Sequence, residues 1–231
     1  MVQGKSEKKK SRPIRRLVES RDVPLPSNWN DFLALPENKR DLSAFLSDEL
    51  IKATPSGKTY VVAGGLGMEV NVNDPEVDVN NLKSNHEEAD TRVVLHCIHS
   101  EAEHIVVSAR DTDRAVLLLA HFDKMECETL WLKAGTSKKP KYIPIHEIRN
   151  TLALEQSVLD SIPAFHAITG CDTVSFLSGH SKKTSWDVFL EHHKLLEPLG
   201  KSETMSEEAA RMAEAFICRI FKVPYLSLIH I

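Results

Sequence analysis

The spacing of apolar and polar positions along the chain predicts an alternation of strands and helices. Apolar residues recur at helical spacing in the predicted helices, whereas the predicted strands are short runs rich in β-branched residues. Up to residue 154 the predicted elements are a helix over 37–52, a strand over 58–64, a helix over 87–100, a strand over 104–109, a helix over 111–122, a strand over 128–134, and a short strand leading into a helix over 142–154. This order predicts an α/β fold with a mostly parallel central sheet flanked by helices.

The pattern becomes helical after about residue 150, with predicted helices over 159–170, 184–196 and 206–221. We therefore predict three parts: a basic disordered tail over 1–26, an α/β core over 27–150 and a helical region over 151–231. The final stretch "VPYLSLIHI" fits no amphipathic pattern. We interpret it as a foreign end or as the end of a fragment.

Charge is concentrated in the N-terminal tail. Eight of the first 21 residues are Lys or Arg and two are Glu, so this segment carries +6, and the rest of the chain must carry −10 to reach the total of −4. A basic arm on an acidic body is typical of a nucleic-acid contact or a nuclear localisation signal. A disordered solubilising tail has the same composition and is the alternative.

The apolar runs and the cysteines of the chain indicate its cellular compartment. No apolar run approaches the length of a bilayer span, so we expect no membrane contact. The four cysteines are widely scattered without a CxxC pair, which predicts neither a disulfide framework nor a cysteine zinc site. We expect a reducing intracellular compartment and, given the basic tail, a nuclear location.

Three carboxylates open the stretch "SNHEEADTRVVLHCIHS" over residues 84–100. Glu87 is explained as an ordinary helix-start acid, because negative charge is favourable near a helix N-terminus. Glu88 lies at the helix entry, and Asp90 heads the apolar stripe of the predicted helix, where a carboxylate is costly unless it is paired or metal-bound. The alternative is a partly exposed acid that bonds to Arg92 or to backbone N–H groups.

Two further acidic motifs follow. Asp111 and Asp113 come directly after the predicted strand over 104–109, at the strand end where ligands gather in open α/β sheets. Asp172 follows Gly170 in "HAITGCDTVS". Each of these acids also fits a helix N-cap, although one cap needs only one Asp. Together with the first motif they form an oxygen-ligand set that suits two Mg²⁺ or Mn²⁺ ions acting on a phosphodiester.

The ordered set Glu-Ala-Asp, Asp-Thr-Asp after a strand and Gly-Cys-Asp resembles the flap endonuclease group of the PIN-like (XPG-type) nucleases. The stretch "LSGHSKKTSW" is similar to the helix–loop–helix element with which that family grips the DNA backbone. Residues 25–195 also resemble uncharacterised nuclease-like proteins abundant in invertebrate genomes, some of them tied to mobile elements. The resemblance implies a PIN-like fold, two Mg²⁺ or Mn²⁺ ions, and hydrolysis of nucleic acid, DNA rather than RNA.

The resemblance also implies individual roles. Asp111 and Asp113 are the expected catalytic residues, and Ser181 replaces one glycine of the family's DNA-gripping loop. The family's N-terminal strand and its Asp are not evident, since "KSEKKKSRPIRR" contains no Asp. We therefore expect a fragment whose metal site is incomplete. The expected metal ligands are Glu88, Asp90, Asp111, Asp113 and Asp172, and the expected DNA contacts are Gly179, Lys182 and Lys183.

Three alternatives stay open at the level of sequence. A catalytically degenerate module that binds nucleic acid or protein is favoured by the missing N-terminal acids and by Arg114 beside Asp113. A phosphatase or transferase would use the Asp-Thr-Asp motif but leaves the other two motifs unexplained. His96 and His99 could share a helix face as zinc ligands, but no third and fourth ligand lies at zinc spacing.

Overall fold

Two compact units make up the chain, Met1–Arg92 and Val93–Ile231. The structure is a computed structural model that describes residues 14–63, 69–85, 89–109, 111, 113–171 and 174–224. The first unit holds two helices and a small hairpin, and the second holds a larger sheet and most of the helices.

The first unit is a pair of helices with a two-stranded hairpin. Asn28 caps the first helix by accepting hydrogen bonds from two backbone N–H groups, and Pro36 begins the second, where the fixed φ of proline suits a helix. The two strands pair antiparallel and pack against the second helix. The elements are α1 (Trp29–Leu33), α2 (Pro36–Lys52), β1 (Val61–Ala63), β2 (Val70–Val72) and a 3₁₀ turn over Asn80–Leu82.

One buried polar side chain, Asn38 of α2, organises this unit. Its amide nitrogen donates to the carbonyl oxygens of Phe32 (2.9 Å) and Ile14 (3.0 Å), and its Oδ1 accepts from the backbone N–H of Arg16 (2.9 Å). Asn38 is fully buried, so these bonds replace the water that it loses on folding. The chain just after residue 13 is thereby held against α2.

The second unit is built on a three-stranded sheet of order β3-β4-β5. β3 pairs parallel with β4, with Val107 opposite Leu132, and β4 pairs antiparallel with β5. The strands are β3 (His104–Ser108), β4 (Thr129–Thr136) and β5 (Lys139–Pro144). The helices are α3 (Ala89–Ile98), of which residues 93–98 belong to this unit, α4 (Asp113–His121), α5 (Ile145–Leu152), α6 (Gln156–Ile168), α7 (Lys182–His192) and α8 (Glu207–Phe221).

Two apolar clusters lie on either side of α4. Leu118 is fully buried in the cluster that the sheet shares with α3 and α5, while Val116 packs on a cluster formed by α6, α7 and α8. Both faces of α4 are therefore fixed, and so is its first residue, Asp113. The central residues are Val94, Cys97, Val107, Leu118, Leu130, Leu132 and Ile145 in one cluster, and Leu159, Ile162, Phe165, Phe189, Leu196 and Phe216 in the other.

The α/β class predicted from the sequence is confirmed, but the mostly parallel sheet is not. Of the three strand pairings in the described ranges, only that of β3 with β4 is parallel. β5 returns antiparallel because residues 137–138 form a tight turn beside Gly135, whose φ of +84° favours glycine. A Cβ at Gly135 would lie 2.6 Å from the Lys139 carbonyl oxygen, so this hairpin requires glycine.

Candidate functional site

Asp111 and Asp113 lie where β3 ends and α4 begins. The backbone N–H of Ala109 still bonds to the Lys133 carbonyl (3.0 Å), and the chain then leaves the sheet. Asp111 Oδ1 accepts the backbone N–H of Asp113 at 3.0 Å, which satisfies one of the free N–H groups at the start of α4. Asp111 therefore satisfies an N–H group at the helix start, which is the role that the sequence allowed for one of these acids.

His166 of α6 contacts the second of these acids, Asp113. Its Nε2 lies 2.9 Å from Oδ1 of Asp113, and the two side chains are 16% and 26% exposed, respectively. The bond joins α4 to α6, which also pack against each other. Sequence reasoning missed His166; the available signal was a polar residue in an apolar helix, four positions before Gly170.

Of the three other expected metal ligands, only Asp90 lies among the described residues. Glu88 and Asp172 lie outside the described residues, so their predicted roles stay predictions. Asp90 lies half-buried in the first turn of α3, as the sequence predicts. In the ranges that the structure describes, no three His, Cys, Asp or Glu side chains are grouped closely enough to hold a metal ion, and this includes His96 and His99.

The chemistry of the two described carboxylates fits a hard cation. One oxygen of each is engaged, Asp111 Oδ1 by a backbone N–H and Asp113 Oδ1 by His166. Their other oxygens make no hydrogen bond with any described residue, and carboxylate oxygens are the ligands that Mg²⁺ and Mn²⁺ prefer. Asp111 and Asp113 therefore supply a partial ligand set for such an ion.

The expected DNA-contacting residues lie at the start of α7 and in the loop before it. Ser181 caps α7 in a reciprocal capping box with Thr184, so Ser181 has a local structural role. Lys182 Nζ donates to the carbonyl of Gly170, and Lys183 is exposed at the first turn. Gly179 precedes the cap with a φ of +76°. Of the two lysines at this helix start, Lys183 is exposed to solvent and Lys182 is half-buried.

Two open cavities of about 500 Å³ each lie in the second unit. The first lies at the carboxyl end of β3 and is lined by Arg114 and Lys133 together with the hydroxyl residues Thr136 and Ser137. Its lining is basic and polar, which suits an anion such as a phosphate. The second lies between α6 and α7 and has a mainly apolar lining.

Comparisons of the chain with protein-family models, with curated proteins and with solved structures found no match. None of the helices within the described ranges combines the length and apolarity needed to cross a bilayer. The function is therefore argued from the site itself.

Proposed function

We propose that this protein hydrolyses phosphodiester bonds of nucleic acid with divalent metal, as a PIN-like domain related to the flap endonucleases. The observation that carries the proposal is the pair Asp111 and Asp113 at the carboxyl end of strand β3, which pairs parallel with β4. Ligands of open α/β sheets collect at that edge, and the basic cavity beside it has the charge to hold a phosphate.

The proposal gives a role to the carboxylates, to the basic cavity and to the start of α7. Asp111 and Asp113 would serve as ligands of Mg²⁺ or Mn²⁺. The ion would supply a nucleophilic hydroxide and charge stabilisation of the leaving oxygen. Arg114 and Lys133 would orient the phosphate from the neighbouring cavity, and Gly179, Lys182 and Lys183 would hold the strand further along its backbone.

The test is cleavage of flapped, nicked and single-stranded DNA and of single-stranded RNA, in Mg²⁺ and in Mn²⁺. Asp111→Asn and Asp113→Asn remove a charged ligand but keep a side-chain oxygen, and Asn caps helices as well as Asp does. We expect each to reduce cleavage by about 100-fold or more, beyond the ~10–100-fold typical of residues that only support a ligand. Asp160→Asn, an exposed acid on α6, is the matched control. Inert wild-type protein, also in a longer natural form, would refute the proposal.

The second candidate is a non-catalytic module that binds nucleic acid or protein. It is favoured by the engagement of one oxygen of Asp113 by His166 and one of Asp111 by the helix cap, since both bonds compete with metal coordination. Such a module would bind DNA with a strong salt dependence, because each neutralised phosphate releases counterions. Binding that survives Asp111→Ala and Asp113→Ala, without cleavage under any metal condition, would select this candidate.

A further inference from the structure

The cavity between α6 and α7 is lined by four apolar and four polar or charged residues, which we call its floor and its rim. We define the floor by Val116, Ile162, Phe165 and Trp186, and the rim by His166, Lys182, Lys183 and Asp187. Its volume of about 500 Å³ falls within the ~300–1,000 Å³ range of pockets that take small organic ligands. An apolar pocket with a few polar groups around its mouth is the usual form of such a site.

Trp186 is held in one orientation by its aromatic neighbours. Its ring centroid lies 5.8 Å from that of Phe165, edge to face, and 5.2 Å from that of Phe189. Phe165 and Phe189 stack on each other at 4.5 Å and are almost completely buried, so the support is rigid. Trp186 itself is only half-buried and lines the cavity. A fixed, partly exposed indole binds a flat ring with little loss of side-chain entropy.

The charges of the rim suit a nucleotide. Lys182 and Lys183 both line the cavity and would attract a phosphate, although Lys182 Nζ also donates to the Gly170 carbonyl. Asp187 lies one helical turn further along α7 and could accept hydrogen bonds from N–H groups of a base. His166 forms another part of the rim and bonds directly to Asp113. The cavity and the carboxylate site therefore share a side chain.

We propose that this cavity binds one unpaired base of a nucleic-acid strand, with the base against Trp186 and its phosphate at Lys182 and Lys183. The proposal rests on the nucleic-acid specificity of the proposed function but not on catalysis. Because His166 joins the cavity to Asp113, a base held here places the adjoining strand beside the carboxylates. The pocket would then select single-stranded or frayed substrate over continuous duplex.

The direct test uses the full chain in a chelator, so that cleavage does not interfere. The probes are a short labelled single-stranded oligonucleotide and the same oligonucleotide with abasic positions, which keeps every phosphate. We expect the base-containing probe to quench tryptophan fluorescence and to bind about 5- to 150-fold more tightly by anisotropy, the range of one base–aromatic stack. Equal affinity for the two probes, or no binding of either at low salt, would overturn the proposal.

Variants of the cavity test whether the preference for the base-containing probe arises there. Trp186→Leu keeps an apolar side chain but removes the stacking face, and should lose the preference for the base-containing probe. Trp29→Leu on α1 should keep this preference. Val116→Phe fills the cavity from its floor and should have the same effect while Trp186 remains in place. A preference that persists in both cavity variants places the base elsewhere and refutes the pocket.

Different results would refute the nuclease proposal and the base-binding proposal. If cleavage requires Asp111 but the abasic and the base-containing probes bind equally well, the nuclease proposal is supported and the base-binding proposal is refuted. If base-dependent binding is lost in Val116→Phe and no metal supports cleavage, the base-binding proposal is supported and the nuclease proposal is refuted. A different outcome is also informative. Small apolar compounds of the size of indole could quench tryptophan fluorescence in a way that depends on Trp186, while the oligonucleotide does not. The cavity would then be a site for apolar ligands, and the proposal would be refuted.

Discussion

The bond between His166 and Asp113 should contribute measurably to the packing of α4 on α6. His166→Ala removes the donor, Asp113→Ala removes the acceptor, and the double variant closes a thermodynamic cycle. Because the two residues lie 53 positions apart in the chain, their contact exists only when α4 and α6 are packed. The cycle therefore isolates a tertiary interaction at the candidate site.

The size of the coupling follows from the geometry. The two atoms lie 2.9 Å apart, and the side chains are 16% and 26% exposed, so the pair is largely but not fully shielded from water. Hydrogen bonds to charged groups contribute about 1.5–3 kcal/mol, and residual exposure reduces this value. We expect a coupling free energy of about 1–2 kcal/mol.

Urea unfolding of the four proteins in a chelator, followed by circular dichroism, measures this coupling. The matched control is the cycle for His192 and Glu191, a pair at 3.6 Å in which Glu191 is 76% exposed, where we expect a coupling near zero. His166→Gln retains a donor and should recover part of the lost stability. A coupling for His166 and Asp113 no larger than that of the control pair would refute the reasoning.

Three further results are expected. Asn38→Leu should lower the free energy of unfolding by roughly 2–4 kcal/mol in urea titrations, because buried backbone groups lose their partners; a loss below about 1 kcal/mol would contradict this. Gly170→Ala should destabilise the fold more than Gly200→Ala, since both have positive φ but only at Gly170 would the added Cβ lie within 3 Å of another residue; equal losses would be inconsistent with the geometry. Burial, with a smaller contribution from a neighbouring thiol, raises the pKa of Cys97 from 9.0 to about 11, so its neutral form stabilises the fold fully below pH 9 and this contribution is lost as the pH rises through 11. The stability of the wild type relative to Cys97→Ala should therefore fall by about 2–3 kcal/mol over that interval in thermal or urea unfolding, and a pH-independent difference would exclude this.

Several features of the fold could be predicted from local pattern. The β-branched run of β3 and the helical spacing of α4 specify their own secondary structure, and both are confirmed. The position of Asp111 and Asp113 between them follows from chain order alone, because an acid that comes directly after a strand must lie at its carboxyl end. The strand β2 was missed, since its three residues lie in a stretch rich in Asn and Asp, a composition typical of loops.

Other features depend on which elements meet. The sequence by itself determined an α/β fold and a pair of carboxylates at one strand end, because both follow from residues that are neighbours in the chain. Only the tertiary structure decided that β5 returns antiparallel, that His166 bonds to Asp113, and that Trp186 lines a cavity beside them. These arrangements join residues that are distant in sequence or depend on the backbone geometry of a turn. No local periodicity encodes them, since they arise only when packed helices and strands bring such residues into contact.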